Sequence, residues 1–122
     1  MSGNAPYDLE ERTRKFAQDV RNLVRRLPSS ISNTEDGKQL IRSSGSVGAN
    51  YIEAAEGLGE KDFTMHIRIS RKEAKESKHW LLLLFVAQNK EVDQERNRLS
   101  QEALELTRIF SKIVNDREQK KS

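Results

Sequence analysis

Apolar residues recur along this chain at spacings of three and four, the period of a helix with one buried face. In the first such segment Leu9, Phe16, Val20, Leu23, Val24 and Leu27 share a face. Asp8 precedes it as an N-cap, with Glu11 three positions on completing a capping box. Pro28 ends it, because proline has no N–H to continue the ladder. Residues 29–33 read as a polar link. Ser32 with Glu35, or Asn33 alone, is placed to cap a second helix that runs to about Leu58, where Gly57 and Gly59 terminate it. A third helix, over about 61–88, puts Phe63, Ile67, Ser70, Ala74, Ser77, Leu81, Leu84 and Phe85 on its main core face. After a turn at 89–93, a fourth over about 94–116 carries Leu99, Ala103, Leu106, Phe110 and Ile113. Four helices with short links predict an all-α fold, an antiparallel up-down-up-down four-helix bundle. The bundle spans residues 8–116, with a lead at 1–7 and a polar tail at 117–122.

The second helix departs from a simple amphipathic pattern at residues 42–57. Leu40, Ser44, Val47, Gly48, Tyr51, Ile52, Ala55 and Leu58 share one broad face, while Arg42, Ser46, Asn50 and Glu53 form a polar stripe on another. A helical glycine costs about 1 kcal/mol relative to alanine, so Gly45 and Gly48 imply compensation by a closely approaching helix. The expected neighbours are the third helix and an adjacent subunit facing Ser46, Asn50 and Glu53.

The third helix carries a second apolar stripe, Met65, Ile69, Trp80, Leu83 and Ala87, with Glu73 and Glu76 set among them. A helix in an isolated bundle needs one apolar face of little more than 100°. Two stripes, and an apolar run in every direction at 80–87, predict burial against a second copy.

Composition narrows the classes. The chain has 122 residues, enough for one domain with a substantial core, and is 34% charged and 34% hydrophobic. It has no cysteine, which excludes disulfides, thiolate metal sites and cysteine nucleophiles. The longest apolar run is residues 80–87, well short of the roughly 20 that a membrane span needs. With no signal-peptide pattern at the start, a soluble, cytoplasmic protein is expected. The net charge is +3 and the pI about 9.3.

That mild basic bias is concentrated. Arg14, Arg21 and Arg25 fall on one stripe of the first helix; Arg68, Arg71, Lys72, Lys75 and Lys78 fall on one side of the third. They are candidate contacts to the phosphates of RNA or DNA, sensitive to salt and poor in sequence specificity. No aromatic residue is interleaved with them, so base stacking receives no support. The alternative is a solvated exterior of alternating charge, with Asp19, Glu73 and Glu76 close by. Arg42, Ser46, Asn50, Glu53, Glu73, Glu76 and Trp80 are read as an assembly network, Arg42 reaching Glu73 or Glu76 across a subunit boundary, since buried polar groups can set register. The sequence Glu76-x-x-His79 is a di-iron motif in some bundles, but His79 falls on the outer side and His66 has no glutamate three residues before it. No metal, cofactor or catalytic constellation is expected.

Several of these residues resemble a known family. Gln39-Leu40-Ile41-Arg42-Ser43, Ser46-Val47, Ala49-Asn50, Glu53-Ala54, Lys72-Glu73-Ala74 with Glu76, and Trp80-Leu81 are similar to the bacterial four helix bundle protein family, also called the ribosomal intervening-sequence protein family. Tyr7-Asp8-Leu9-Glu10-Glu11-Arg12 and Phe16-Ala17 match its first helix, so the likeness covers roughly residues 7–114. The family name comes from members encoded within insertions in large-subunit ribosomal RNA genes. The resemblance implies a four-helix subunit assembled into a ring, commonly a homopentamer. It also implies a distant similarity to basic pentameric accessory proteins of diversity-generating retroelements, which bind nucleic acid. Where members often continue asparagine-isoleucine-alanine-glutamate-glycine, this chain has Asn50-Tyr51-Ile52-Glu53-Ala54, which places it in a sub-branch. Two functional expectations follow: an oligomeric accessory protein of RNA or DNA, or a ring-forming scaffold whose partner is another protein.

Overall fold

Side chains set the boundaries of four helices in the computed structural model, which describes residues 8–57 and 59–121. Asp8 accepts from the Glu11 N–H and opens α1, Leu9–Arg25. Ser30 accepts from the Asn33 N–H at 3.0 Å and opens α2, Ile31–Ala55. The cap is therefore Ser30, and not Ser32 or Asn33. The Asn33 amide is engaged elsewhere, donating to the Pro28 and Phe85 carbonyls. Glu60 and Asp62 lie in the first turn of α3, Glu60–Leu83, where carboxylates favour the positive end of the helix dipole. The Asn89 side chain accepts from the Val92 N–H and opens α4, Lys90–Lys121, longer at both ends than its apolar period suggests. Among the described residues there is no strand.

α1 packs on α2, α2 on α3, α3 on α4 and α4 on α1, so α1 and α3 occupy opposite corners. Along the α2–α3 seam Asn33 meets Phe85, Ser43 meets Ser77, Val47 meets Ser70, and Asn50 meets His66. As α2 advances α3 recedes, so the pair is antiparallel. Arg12 with Glu102 and Asp19 with Arg98 show the same for α1 and α4. The core takes Leu9, Phe16, Val20 and Leu23 from α1, Leu40 and Val47 from α2, Ile67 and Leu81 from α3, and Leu99, Leu106 and Phe110 from α4. Fully burying each such large side chain contributes about 1.5–3 kcal/mol.

α2 supplies small residues instead of bulk. Ser43 and Ser77 share a 2.9 Å hydrogen bond, and Ser70 donates to the Val47 carbonyl, so the buried hydroxyls of this seam are paired. The glycines answer to α1, not to α3. A Cβ on Gly48 would lie 2.8 Å from Thr13 Oγ1, and one on Gly45 would lie 3.3 Å from the end of Arg21. Ile52 and Ala55, expected on the buried face, are exposed, because the narrow α1–α2 crossing leaves that side of α2 open; Leu58 lies outside the described residues.

α3 ends about five residues sooner than its apolar run predicts. Two long-range side chains take over the backbone groups there. The Asn33 amide accepts from the Phe85 N–H and donates to its carbonyl, at 2.9 and 2.8 Å. Arg96 donates to the carbonyls of Leu81 and Leu84. Residues 84–86 then alternate in and out, Leu84 and Val86 buried and Phe85 53% exposed, so Phe85 is not a core residue. Ala87 turns the chain at φ 56°. Half of the run read as a many-sided helix is thus accounted for within the chain.

Candidate nucleic-acid and assembly surfaces

The two basic stripes do not converge. On α1, Arg21 leans toward α2, donating to the Ala17 carbonyl at 2.9 Å and reaching the Ile41 carbonyl at 3.5 Å. Arg14 pairs with Glu10 and Arg25 bonds Asn22, both one turn away. Of these cations Arg14, beside Glu10, lines a shallow α1–α2 groove of about 260 Å³ with Thr13, Ala17, Gly45, Gly48 and Ile52.

The α3 stripe leans the other way, toward α4, where Arg68 pairs with Glu118. Lys72 stands at 4.0 Å from Glu76. Arg71, Lys75 and Lys78 form a row at i, i+4, i+7 with no acidic partner among the described residues. Helical geometry turns Asn97, Leu104, Arg108, Ser111 and Asn115 of α4 toward the same side. The two carboxylates on that side, Glu118 and Asp93, are each held by an arginine. Arg108 is paired with Glu105 at 3.2 Å, so the surplus positive charge of the α3/α4 face rests on Arg71, Lys75 and Lys78. Arg108 and its asparagine neighbours escape sequence reasoning because they form no basic stripe of their own.

The polar stripe of α2 borders α3. Asn50 donates to the Ser46 carbonyl and bonds His66 Nδ1 at 3.1 Å, and His66 Nε2 stands 3.7 Å from Asp62. Arg42 is exposed and makes one bond, to Gln39. Glu53 is exposed. Across the seam Glu73 is only 8% exposed, yet its Oε1 has no partner, and Trp80 Nε1 is likewise buried and unpaired. Alongside them Met65 and Leu83 are about half exposed. Within one chain Arg42 does not reach Glu73 or Glu76. His79 is exposed with its ring edge-on to Trp80, and no group of three metal-ligating side chains occurs among the described residues.

A further constellation lies at the end of the bundle where α1 and α3 begin. Leu9, Tyr51, Phe63 and Ile113, one from each helix, floor an open cup of about 410 Å³, with Asp116, Arg117 and Lys120 at its rim. The Arg117 guanidinium sits 4.0 Å above the Phe63 ring and pairs with Glu60. Burial, with the charges of Glu10 and Asp8 adding to it, raises the Tyr51 pKa. Aromatic rings and cations are thus brought together here, by cations that belong to neither the α1 nor the α3 basic stripe.

An antiparallel bundle of this order, with a small-residue second helix and a serine-paired α2–α3 seam, defines a class of four-helix subunit. The chain belongs to the 23S rRNA-intervening sequence protein family, which matches residues 7–112. It is similar to a protein of unknown function from the S23 ribosomal protein family of Bacteroides thetaiotaomicron, whose crystal structure was determined at 1.70 Å. The two share 26% identity and superpose with a TM-score of 0.71, covering 86% of this chain and 96% of the other. No curated protein matches the chain. No helix among the described residues is long and apolar enough to cross a membrane.

Proposed function

We propose that this protein is a non-enzymatic, self-assembling accessory of RNA or DNA in the cytoplasm, holding phosphates along its α3/α4 face. The observation that carries the reading is the row Arg71, Lys75 and Lys78, three cations without acidic partners on a face where the carboxylates are already neutralised. Repeated around a ring, commonly a pentamer in the family, a row of weak contacts gains avidity. Filter binding with a structured RNA at about 50 and 200 mM salt tests it. Retention at the lower salt that falls steeply at the higher supports phosphate binding; no retention at either sinks it.

Self-assembly is assigned to the outer side of α2 and α3. Exposed Met65 and Leu83, half-buried Ile69 and Trp80, and the unpaired Glu73 and Trp80 atoms support this. A buried polar atom without a partner costs about 1–3 kcal/mol, and a neighbouring copy's polar stripe of Arg42, Ser46, Asn50 and Glu53 supplies partners. Size-exclusion chromatography with light scattering measures it directly, and a stable monomer at micromolar concentration refutes it.

A second reading, a scaffold for another protein, draws on one specific feature. Ile31, Leu82, Leu83 and Phe85 are exposed near the opposite end from the cup, and the Asn33 clamp fixes Phe85 there. Exposed apolar clusters of this kind mark protein contacts. Retention of RNA by a chain carrying Phe85→Ser, with no loss of affinity, keeps the two functions separate.

A further inference from the structure

We infer that the cup at the α1/α3 start of the bundle receives an unpaired base of single-stranded nucleic acid, with Lys120 holding the adjoining phosphate. This rests on the nucleic-acid reading above and adds a subsite to it. The charges at the rim supply the first argument. Asp116 is paired with Lys112 at 3.2 Å, and Glu60 with Arg117. Lys120 alone among the lining charges lacks a partner among the described residues, so it is the rim cation free to meet a ligand, while the Asp8 and Glu10 carboxylates act on Tyr51. The complement of Lys120 is an anionic ligand.

The floor supplies the second argument. Leu9, Tyr51, Phe63 and Ile113 present apolar and aromatic surface, with the Arg117 guanidinium stacked over Phe63, which favours a flat, weakly polar body. Arg117 is held over Phe63 by its pairing with Glu60, so its guanidinium plane is a prepared stacking surface and not a free phosphate hook. Bases stack on aromatic rings and on guanidinium planes alike. A volume of about 410 Å³ lies within the usual range for a small-molecule site and leaves room for a purine with its sugar.

Position supplies the third. Arg71, nearest of the unpaired row, is eight residues from Phe63 along α3, about 12 Å by helix rise. A strand laid along Arg71, Lys75 and Lys78 therefore runs toward the cup, and its end is turned in. Duplex RNA, with its bases stacked inside, has no base to offer.

The test compares two labelled probes of equal length by fluorescence anisotropy at about 50 mM salt: oligoadenylate and an abasic sugar-phosphate chain. The wild-type chain is expected to bind oligoadenylate about tenfold more tightly. Phe63→Leu, which keeps apolar volume but removes the ring, erases that preference and leaves the abasic affinity in place. Lys120→Gln weakens both probes together. Circular dichroism melts confirm that each variant is folded, and Tyr51→Leu serves as the second ring variant should Phe63→Leu lose its fold. Equal binding of the two probes by the wild type overturns the inference while the phosphate reading stands; so does a preference that survives the ring change. Failure of the wild type to bind either probe overturns both readings.

Discussion

Arg14, Arg21 and Arg25 on α1 and Arg71, Lys75 and Lys78 on α3 look alike along the chain, three cations on one helical stripe. Their surroundings differ. Each α1 arginine has a local partner, Glu10, the Ala17 carbonyl or Asn22, and the end of Arg21 also lies against Gly45 of α2. The α3 row faces α4 carboxylates, Glu118 and Asp93, that are already held by Arg68 and Arg96, and its own neighbouring acid, Glu73, is turned inward. The lesson is that spacing sets which cations share a face, and the opposing helix decides whether they hold the fold or are left for a ligand.

The sharpest way to break this comparison is to remove the two sets separately. Arg71→Ala with Lys75→Ala and Lys78→Ala is expected to lower RNA affinity roughly 10- to 100-fold at about 50 mM salt, and to make the salt dependence shallower by two to three phosphate contacts. Stability should shift by no more than about 0.5 kcal/mol. The corresponding α1 triple variant is expected to keep most of the RNA affinity. Equal losses from the two triples in a filter-binding titration would show that the faces act as one.

The two glycines of α2 sharpen the α1 side. Thr13 Oγ1 is held to the Leu9 carbonyl at 2.6 Å and is buried, so it cannot move away from a new Cβ on Gly48. Gly48→Ala should therefore destabilise the fold by about 1–3 kcal/mol despite the better helix propensity. A Cβ on Gly45 meets only the flexible end of Arg21. Gly45→Ala should be neutral or stabilising by up to about 1 kcal/mol. Urea denaturation of the two variants reads the sign directly; a tolerated Gly48→Ala would mean the α1–α2 crossing is looser than its geometry.

Much of this was readable from the chain, and the exceptions share a cause. The four helices and the core positions Phe16, Val20, Leu40, Ile67, Leu99, Leu106 and Phe110 follow from periodicity, the Asp8 cap from its residue type, and the family from the resemblance of its motif residues. The start of α2 and the end of α3 do not. Ser29, Ser30, Ser32 and Asn33 are all capping types, and the choice among them turns on Asn33 binding Phe85, 52 positions away. Pairs one turn apart, such as Arg14 with Glu10, are local, whereas Arg68 with Glu118 and Arg117 with Glu60 exist only once α3 and α4 are packed. The cup needs one residue from each of four helices, so no window of sequence contains it.

Arg21 gives a smaller effect with a clear direction. Its Ala17 bond and the contact of its guanidinium end with Gly45 predict that Arg21→Ala costs about 1 kcal/mol. The same change at Lys75, which is exposed and unpaired, should cost nothing measurable. Parallel thermal melts compare them, and matched melting temperatures would place Arg21 among the free cations.

The smallest expected effect concerns acid. α1 is tied to α4 by Arg98, which bonds both Glu95 and Asp19, and the Arg98 hydrogen bond holds the Glu95 carboxyl below its ordinary range. A carboxyl with a lowered folded pKa binds fewer protons folded than unfolded. Its stabilising contribution is therefore complete above the unfolded value of about 4.3, and is lost as pH falls through the lower folded value. Glu95→Gln should be slightly less stable than wild type at pH 7, with the gap closing below about pH 4. The α3 row has no carboxylate to protonate, so Lys75→Gln should leave the acid limb of the stability curve unmoved. Denaturant midpoints at several pH values between 2 and 7 measure both limbs. A gap for Glu95→Gln that persists unchanged into acid would mean that its loss acts through packing and not through its pair with Arg98.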